Sequence, residues 1–163
     1  MPTLPFPLQL QEQENWCWCA ISVSVDHYFN PASPWKQCRF AGAELGTDCC
    51  PTGSSEECNQ IRRLDPPLRR VGRLRDRPIP RPLTLIEVKQ EIDAGRPICA
   101  RIQWRDGGGH FVIISGYETT PRGVVLLMIE DPAFDKSRVK FDMFLTNYHV
   151  GHGKWTGTFL LQG

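Results

Sequence analysis

The chain is expected to fold as an α+β protein, helices first and an antiparallel sheet after, and three patterns carry that expectation. Cys17, Ala20, Ile21, Ser24, Val25 and Tyr28 recur at spacings of three and four until Asn30-Pro31 stops the pattern, which predicts a helix from Trp16 to Phe29. Thr84 and Glu87 stand in capping-box register ahead of a second periodic run that ends at Gly95. From about residue 97 the pattern changes to short β-rich runs: Pro97 to Gln103, Phe111 to Tyr117 and Val124 to Glu130.

The remaining elements fit around these in chain order. Leu4, Phe6, Leu8 and Leu10 alternate as in a strand, and Pro5 and Pro7 between them predict an edge position. A helix after the first is expected to start with Ser33 as cap and Pro34 in its first turn. Pro66, Pro67, Pro78, Pro80 and Pro82 predict an extended, mobile connection rather than a helix through the middle of the chain. Thr119-Thr-Pro-Arg-Gly123 reads as a hairpin-like turn, so the runs on either side should be antiparallel neighbours. Trp155 to Leu161 is expected to close the sheet. With 163 residues, 40% hydrophobic and including five Trp and eight Phe, the whole of 1–163 is expected to be one domain with a real core.

Composition narrows the function classes. No apolar run approaches the roughly 18 residues of a membrane span, so no membrane partner is expected. Met-Pro-Thr-Leu-Pro-Phe-Pro lacks a basic region and an unbroken apolar core, which argues against a Sec signal and leaves the cytoplasm or a specialised secretion system. A net charge of +1 argues against broad nucleic-acid binding. That balance hides eight arginines between Arg62 and Arg81 against Asp65 and Asp76, a stretch read either as a solvated connection or as a dock for an acidic protein partner.

Chemistry points to Cys17, His110 and Asp131. Cys17 falls in the first turn of the first helix, where unpaired N–H groups and the positive end of the helix dipole favour a thiolate. Gln11, six residues earlier, is positioned to donate to an oxyanion, with Gln13 as the rival donor. His110 follows Asp106-Gly-Gly-Gly109 and leads an apolar run, so it stands where a loop enters a strand, beside backbone without side chains. His27 is too far along the helix axis to reach Cys17, and His149 and His152 flank Gly151 in a polar turn. The hairpin returns Asp131, just before Pro132, to the end where His110 begins, which suits a carboxylate that orients an imidazole.

These residues carry a resemblance. Gln11 through Ala20, Gly109-His110-Phe-Val-Ile-Ile-Ser-Gly-Tyr117 and Glu130-Asp131-Pro132 resemble the three conserved segments of bacterial papain-like cysteine peptidases. The whole chain is similar to the small papain-like family that includes effector proteases of plant-pathogenic bacteria. Gln37-Cys38, Cys49-Cys50 and Cys58-Asn59 resemble that family's cysteine series, and bacteriocin-processing peptidases share a similar histidine strand. The resemblance implies a two-lobe papain-like fold, with a helical lobe bearing the Cys and a sheet lobe bearing the His and Asp. It also implies Cys17 as nucleophile, His110 as base, Asp131 as orienting residue, Gln11 as oxyanion donor, protein or peptide substrates and an effector or toxin setting. No cofactor or metal is implied. The family usually has Ala where this chain has Cys19; residues two apart on a helix point to nearly opposite sides, so Cys19 is expected to pack inward or pair with another Cys while Cys17 faces the cleft.

Cys38, Cys49, Cys50 and Cys58 fall within 21 positions. Adjacent Cys49 and Cys50 are expected not to bond to each other but to bridge to Cys38 and Cys58, with a four-thiolate zinc site as the alternative. Cys99, in a strand, is expected in the core. The expected reaction is peptide hydrolysis through a thiol ester. The same triad also serves deamidation, transpeptidation and isopeptide cleavage, and the competing non-enzyme reading is a cysteine-rich partner-binding module.

Overall fold

In a computed structural model that describes residues 2–163, four helices come first: α1 (Cys17–Phe29), α2 (Gln37–Leu45), α3 (Asp65–Arg70) and α4 (Leu85–Asp93). They are followed by β1 (Ile98–Trp104), β2 (Gly109–Thr119), β3 (Val125–Asp131) and β4 (Asp135–Lys140), then α5 (Phe141–Thr146) and β5 (Gly153–Leu160). The strands form one antiparallel sheet in the order β4-β3-β2-β1-β5. The α+β order expected from the pattern is therefore present, with Cys17 on the helical side and His110 and Asp131 on the sheet, as the resemblance implies.

Strand alternation divides the core in two. Cys99, Phe111, Ile113 and Phe159 face α1, α2 and α3, joining Ile21, Val25, Phe40 and Leu68 in one cluster. Ile98, Ala100, Ile102, Val112, Ile114, Leu127 and Ile129 point the other way and are covered by Val88 and Ile92 of α4 and Phe144 of α5. Cys99 is core, as expected.

α4 carries its capping box: the Thr84 side chain accepts from the Glu87 amide, and Glu87 accepts from the Thr84 amide. Gly95 beyond its end takes φ 79°, the left-handed conformation that glycine adopts without penalty. Three expectations need correction. Ser33 does not cap a helix; α2 starts at Gln37, and the Ser33 hydroxyl instead donates to buried Asp26 at 2.6 Å. A buried carboxylate is the stronger claim on a hydroxyl than a helix end open to water. Residues Leu4 to Leu10 make no strand, because Pro5 and Pro7 remove ladder donors and leave one bridge, Thr3 to Gly116, formed by Leu4 N–H to Ser115 O at 2.8 Å and Tyr117 N–H to Pro2 O at 3.2 Å. Gly116 permits that contact, since a Cβ there would come within 2.8 Å of the Pro2 carbonyl oxygen.

The third correction concerns the arginine stretch. It includes a helix, α3, whose Pro66 and Pro67 occupy the first turn, where missing N–H groups cost nothing. Seven of its eight arginines are also paired within the chain: Arg62 and Arg70 with Glu44, Arg63 and Arg69 with Asp65, Arg73 with Asp26, Arg75 with Glu91 and Arg81 with Glu87. These partners lie on α1, α2, α3 and α4, and bridges Leu74 to Leu161 and Ile79 to Thr158 tie the same segment to the sheet side. No helix among the described residues is long and apolar enough to cross a membrane.

Candidate active site

Cys17 is the first residue of α1, and no side chain caps that helix. The N–H groups of its first turn thus remain available to an anion at the thiol. The segment leading to Cys17 is held from several sides. The Gln11 amide donates to Pro132 O at 2.8 Å, which draws the segment against the end of β3. The Gln37 side chain accepts from the Glu12 amide at 3.0 Å and donates to Leu10 O at 2.9 Å.

Residues Cys58 to Gln60 form a clamp on the same segment. Cys58 O accepts the Trp16 indole N–H at 2.7 Å, and Gln60 O accepts that of Trp18 at 2.8 Å. Asn59 takes the Asn15 amide on its side-chain oxygen at 3.0 Å and the Asn15 side-chain N–H on its carbonyl at 2.9 Å. The clamp is closed by disulfides Cys38–Cys50 and Cys49–Cys58, so the four clustered cysteines pair as bridges of the expected kind and do not surround an ion. Among the described residues no group of three or more His, Cys, Asp or Glu is placed to hold a metal.

His110 and Asp131 meet as the hairpin count anticipates. His110 Nε2 lies 2.7 Å from Asp131 Oδ1. His110 shares strand parity with Val112 and Ile114, and Asp131 with Leu127 and Ile129, so both side chains leave the same face of the sheet. Asp131 is fully buried, and each of its oxygens is satisfied: Oδ1 also accepts the Ala133 amide at 2.8 Å, and Oδ2 accepts the Tyr148 hydroxyl at 2.7 Å. Burial alone would raise the Asp131 pKa, but the His110, Tyr148 and Ala133 donors outweigh it and hold the carboxyl below its ordinary value.

Burial likewise works against a charged His110. The Asp131 carboxylate and the nearby Cys17 sulfur overcome that effect and push the imidazole up to about 9. With Nε2 engaged by Asp131, Nδ1 is the ring nitrogen left for the thiol. Gln11, Cys17 and His110 line one cleft of about 430 Å³, together with Trp104, Gly109 and Phe134.

The other candidates sort clearly. Gln11 reaches the cleft, but its amide nitrogen donates to Gln13 O at 3.1 Å and Glu14 O at 2.7 Å, while its buried Oε1 has no partner. Donation to an oxyanion would require releasing one of those carbonyls. Gln13 packs against Gly53 and does not line the cleft. Cys19 points into the core, with Sγ 3.2 Å from Gln37 O, and burial drives its thiol pKa far up, so it is a poor nucleophile. Trp16 and Trp18 are buried, with their indoles directed at the clamp. His27 faces Trp35 O at 3.0 Å.

Two residues escape sequence reasoning. Trp104 stacks on His110 with ring centroids 5.5 Å apart and also on Tyr148 at 6.2 Å, covering the imidazole. Tyr148 comes from a turn in which His149 and Val150 adopt left-handed backbone, φ 53° and 56°, and only the fold brings it to Asp131. Tyr148→Phe should leave Asp131 Oδ2 buried without a donor and lower unfolding free energy by about 1–3 kcal/mol, as measured by denaturant titration.

A sequence model of the family described as "papain-like cysteine protease AvrRpt2" matches residues 2–149. No curated protein matches the chain. The match covers all the residues of the cleft and both cysteine bridges. The chain therefore belongs to the papain-like cysteine protease AvrRpt2 family, which makes it an enzyme of the cysteine peptidase class.

Proposed function

We propose that this chain hydrolyses peptide bonds in proteins through Cys17, His110 and Asp131, and that it acts as a bacterial effector or toxin. The observation that supports the catalytic assignment most directly is the buried His110–Asp131 pair at 2.7 Å, with Cys17 in the same cleft. The effector role rests on family membership. The described residues 2–163 act as one catalytic unit, because the cleft draws on both the helical and the sheet side of the molecule.

Cys17 and His110 react as a thiolate–imidazolium pair, the proton of the thiol residing on His110, and the thiolate attacks the peptide carbonyl carbon. The developing oxyanion is met by the first-turn N–H of Cys17, and by Gln11 once its amide turns from the Gln13 or Glu14 carbonyl. Collapse of the tetrahedral adduct breaks the C–N bond, and the imidazolium gives its proton to the leaving amine. Water, deprotonated by the now neutral His110, attacks the thiol ester; its breakdown releases the acid and restores the thiol.

A cysteine-directed epoxide should label Cys17 stoichiometrically in wild type, and the labelling should be lost in His110→Ala. New protein termini should appear in a proteome treated with wild type and not with Cys17→Ala. Labelling at Cys19, or identical termini with both proteins, would overturn the assignment.

A further inference from the structure

We propose that a cavity sharing the Trp104 side chain with the catalytic cleft is a recognition site for an acidic residue of the protein substrate, a reading that rests on the peptidase function above. The cavity has a volume of about 420 Å³ and is bounded by Gln103, Trp104, Arg105, His152 and Lys154. It forms where the ends of β1 and β5 pair, Gln103 opposite Lys154 and Trp104 opposite Gly153. Gly153 is what permits this wall: a Cβ there would come within 2.8 Å of the Trp104 ring.

Charge sets this cavity apart. No carboxylate lines it, and Asp106, in the adjoining turn, does not reach it. Arg105 and Lys154 are exposed and take part in no ion pair among the described residues, whereas seven of the eight arginines between Arg62 and Arg81 are neutralised within the chain. The protein thus pairs its cations nearly everywhere in that long basic stretch, whereas Arg105 and Lys154 at this cavity have no ion pair, and neither has Arg101, whose guanidinium lies against Gly109 of the cleft and donates to the neutral side chains of Gln103 and Thr156. The Arg105 guanidinium lies 3.4 Å from His152 Nδ1, and the Arg105 amide donates to His152 O at 2.7 Å, so these groups are held together and not scattered.

A carboxylate suits the arrangement: guanidinium binds it in a fork, and the lysine adds a second, adaptable donor. Trp104 stacks on His110 and lines both cavities, so a chain lying in the cleft can place a neighbouring side chain against Arg105 and Lys154. Because both cations are solvent-exposed, their effect is one of selectivity and is weakened by salt.

The test is cleavage of a proteome-derived peptide library by wild type, Arg105→Ala/Lys154→Ala, Arg105→Glu/Lys154→Glu and Cys17→Ala, with sites read by mass spectrometry. Wild type should favour Asp or Glu at a fixed position near the scissile bond. The neutral variant should lose that bias, lowering kcat/KM on an acidic peptide about five- to tenfold while sparing its Asn or Gln counterpart. The reversed variant should favour Lys or Arg at the same position. Cleavage with no acidic bias, or a bias that survives both double substitutions, overturns the site while leaving the peptidase reading intact. No cleavage beyond Cys17→Ala overturns the peptidase reading and this site with it.

Discussion

Asp131→Asn is expected to lower kcat/KM by about 10²- to 10⁴-fold. The substitution keeps the size and much of the hydrogen-bonding capacity at that position but removes the negative charge that offsets burial of the imidazolium. In wild type His110 is held protonated up to about 9, so the rate should fall on an alkaline limb centred near that pH, as the proton needed by the leaving amine is lost. In Asp131→Asn, desolvation is no longer opposed by a carboxylate, and the limb should move to lower pH. The same charge also governs stability. A histidine pKa raised on folding stabilises the native state fully below its unfolded value of about 6.5, and this contribution is lost as pH rises through about 9. A pH profile of kcat/KM together with denaturant midpoints at pH 6 and pH 10 checks both effects; an alkaline limb unmoved by the substitution would refute the account.

Opening the two disulfides should be the largest perturbation away from the cleft. They close loops of 12 and 9 residues, and each is worth about 3 kcal/mol on the chain-entropy model. Cys49→Ser/Cys58→Ser frees Cys58, whose carbonyl receives the Trp16 indole, and loosens the adjoining bonds of Asn59 and Gln60 to Asn15 and Trp18. The double variant should therefore unfold at lower denaturant and, at temperatures where it is still folded, react more slowly with an epoxide at Cys17. An unchanged denaturation midpoint with an unchanged labelling rate would show that the clamp neither stabilises the fold nor positions the thiol.

Local patterns made much of this legible from residues alone. α1 is written as a 3.6-residue repeat with a hard stop, α4 as a reciprocal cap, and the His110–Asp131 pair as a hairpin whose two arms have similar length. What escaped depends on competition at a distance. Ser33 looks like a cap because nothing nearby reveals that Asp26 will be buried and in need of a donor. The arginines of 62–81 look unneutralised because Glu44, Asp26 and Glu91 are remote in sequence. Trp104 and Tyr148 reach the imidazole and its carboxylate only after β1, β2, β3 and β5 have assembled. Gln11 was legible in place but not in orientation, since its amide is claimed by carbonyls of its own loop.

The arginine segment has a mechanical meaning. Cys17 sits on a helix and His110 on a strand, so the gap between them is set by how the two halves of the molecule are spaced. The segment from Arg62 to Arg81 joins those halves through ion pairs to α1, α2 and α4 and backbone bridges to the residues of β5 and just beyond it. It is a spacer: altering a residue in it should change the Cys17–His110 separation, and with it the activation of the thiol, without touching a reacting group.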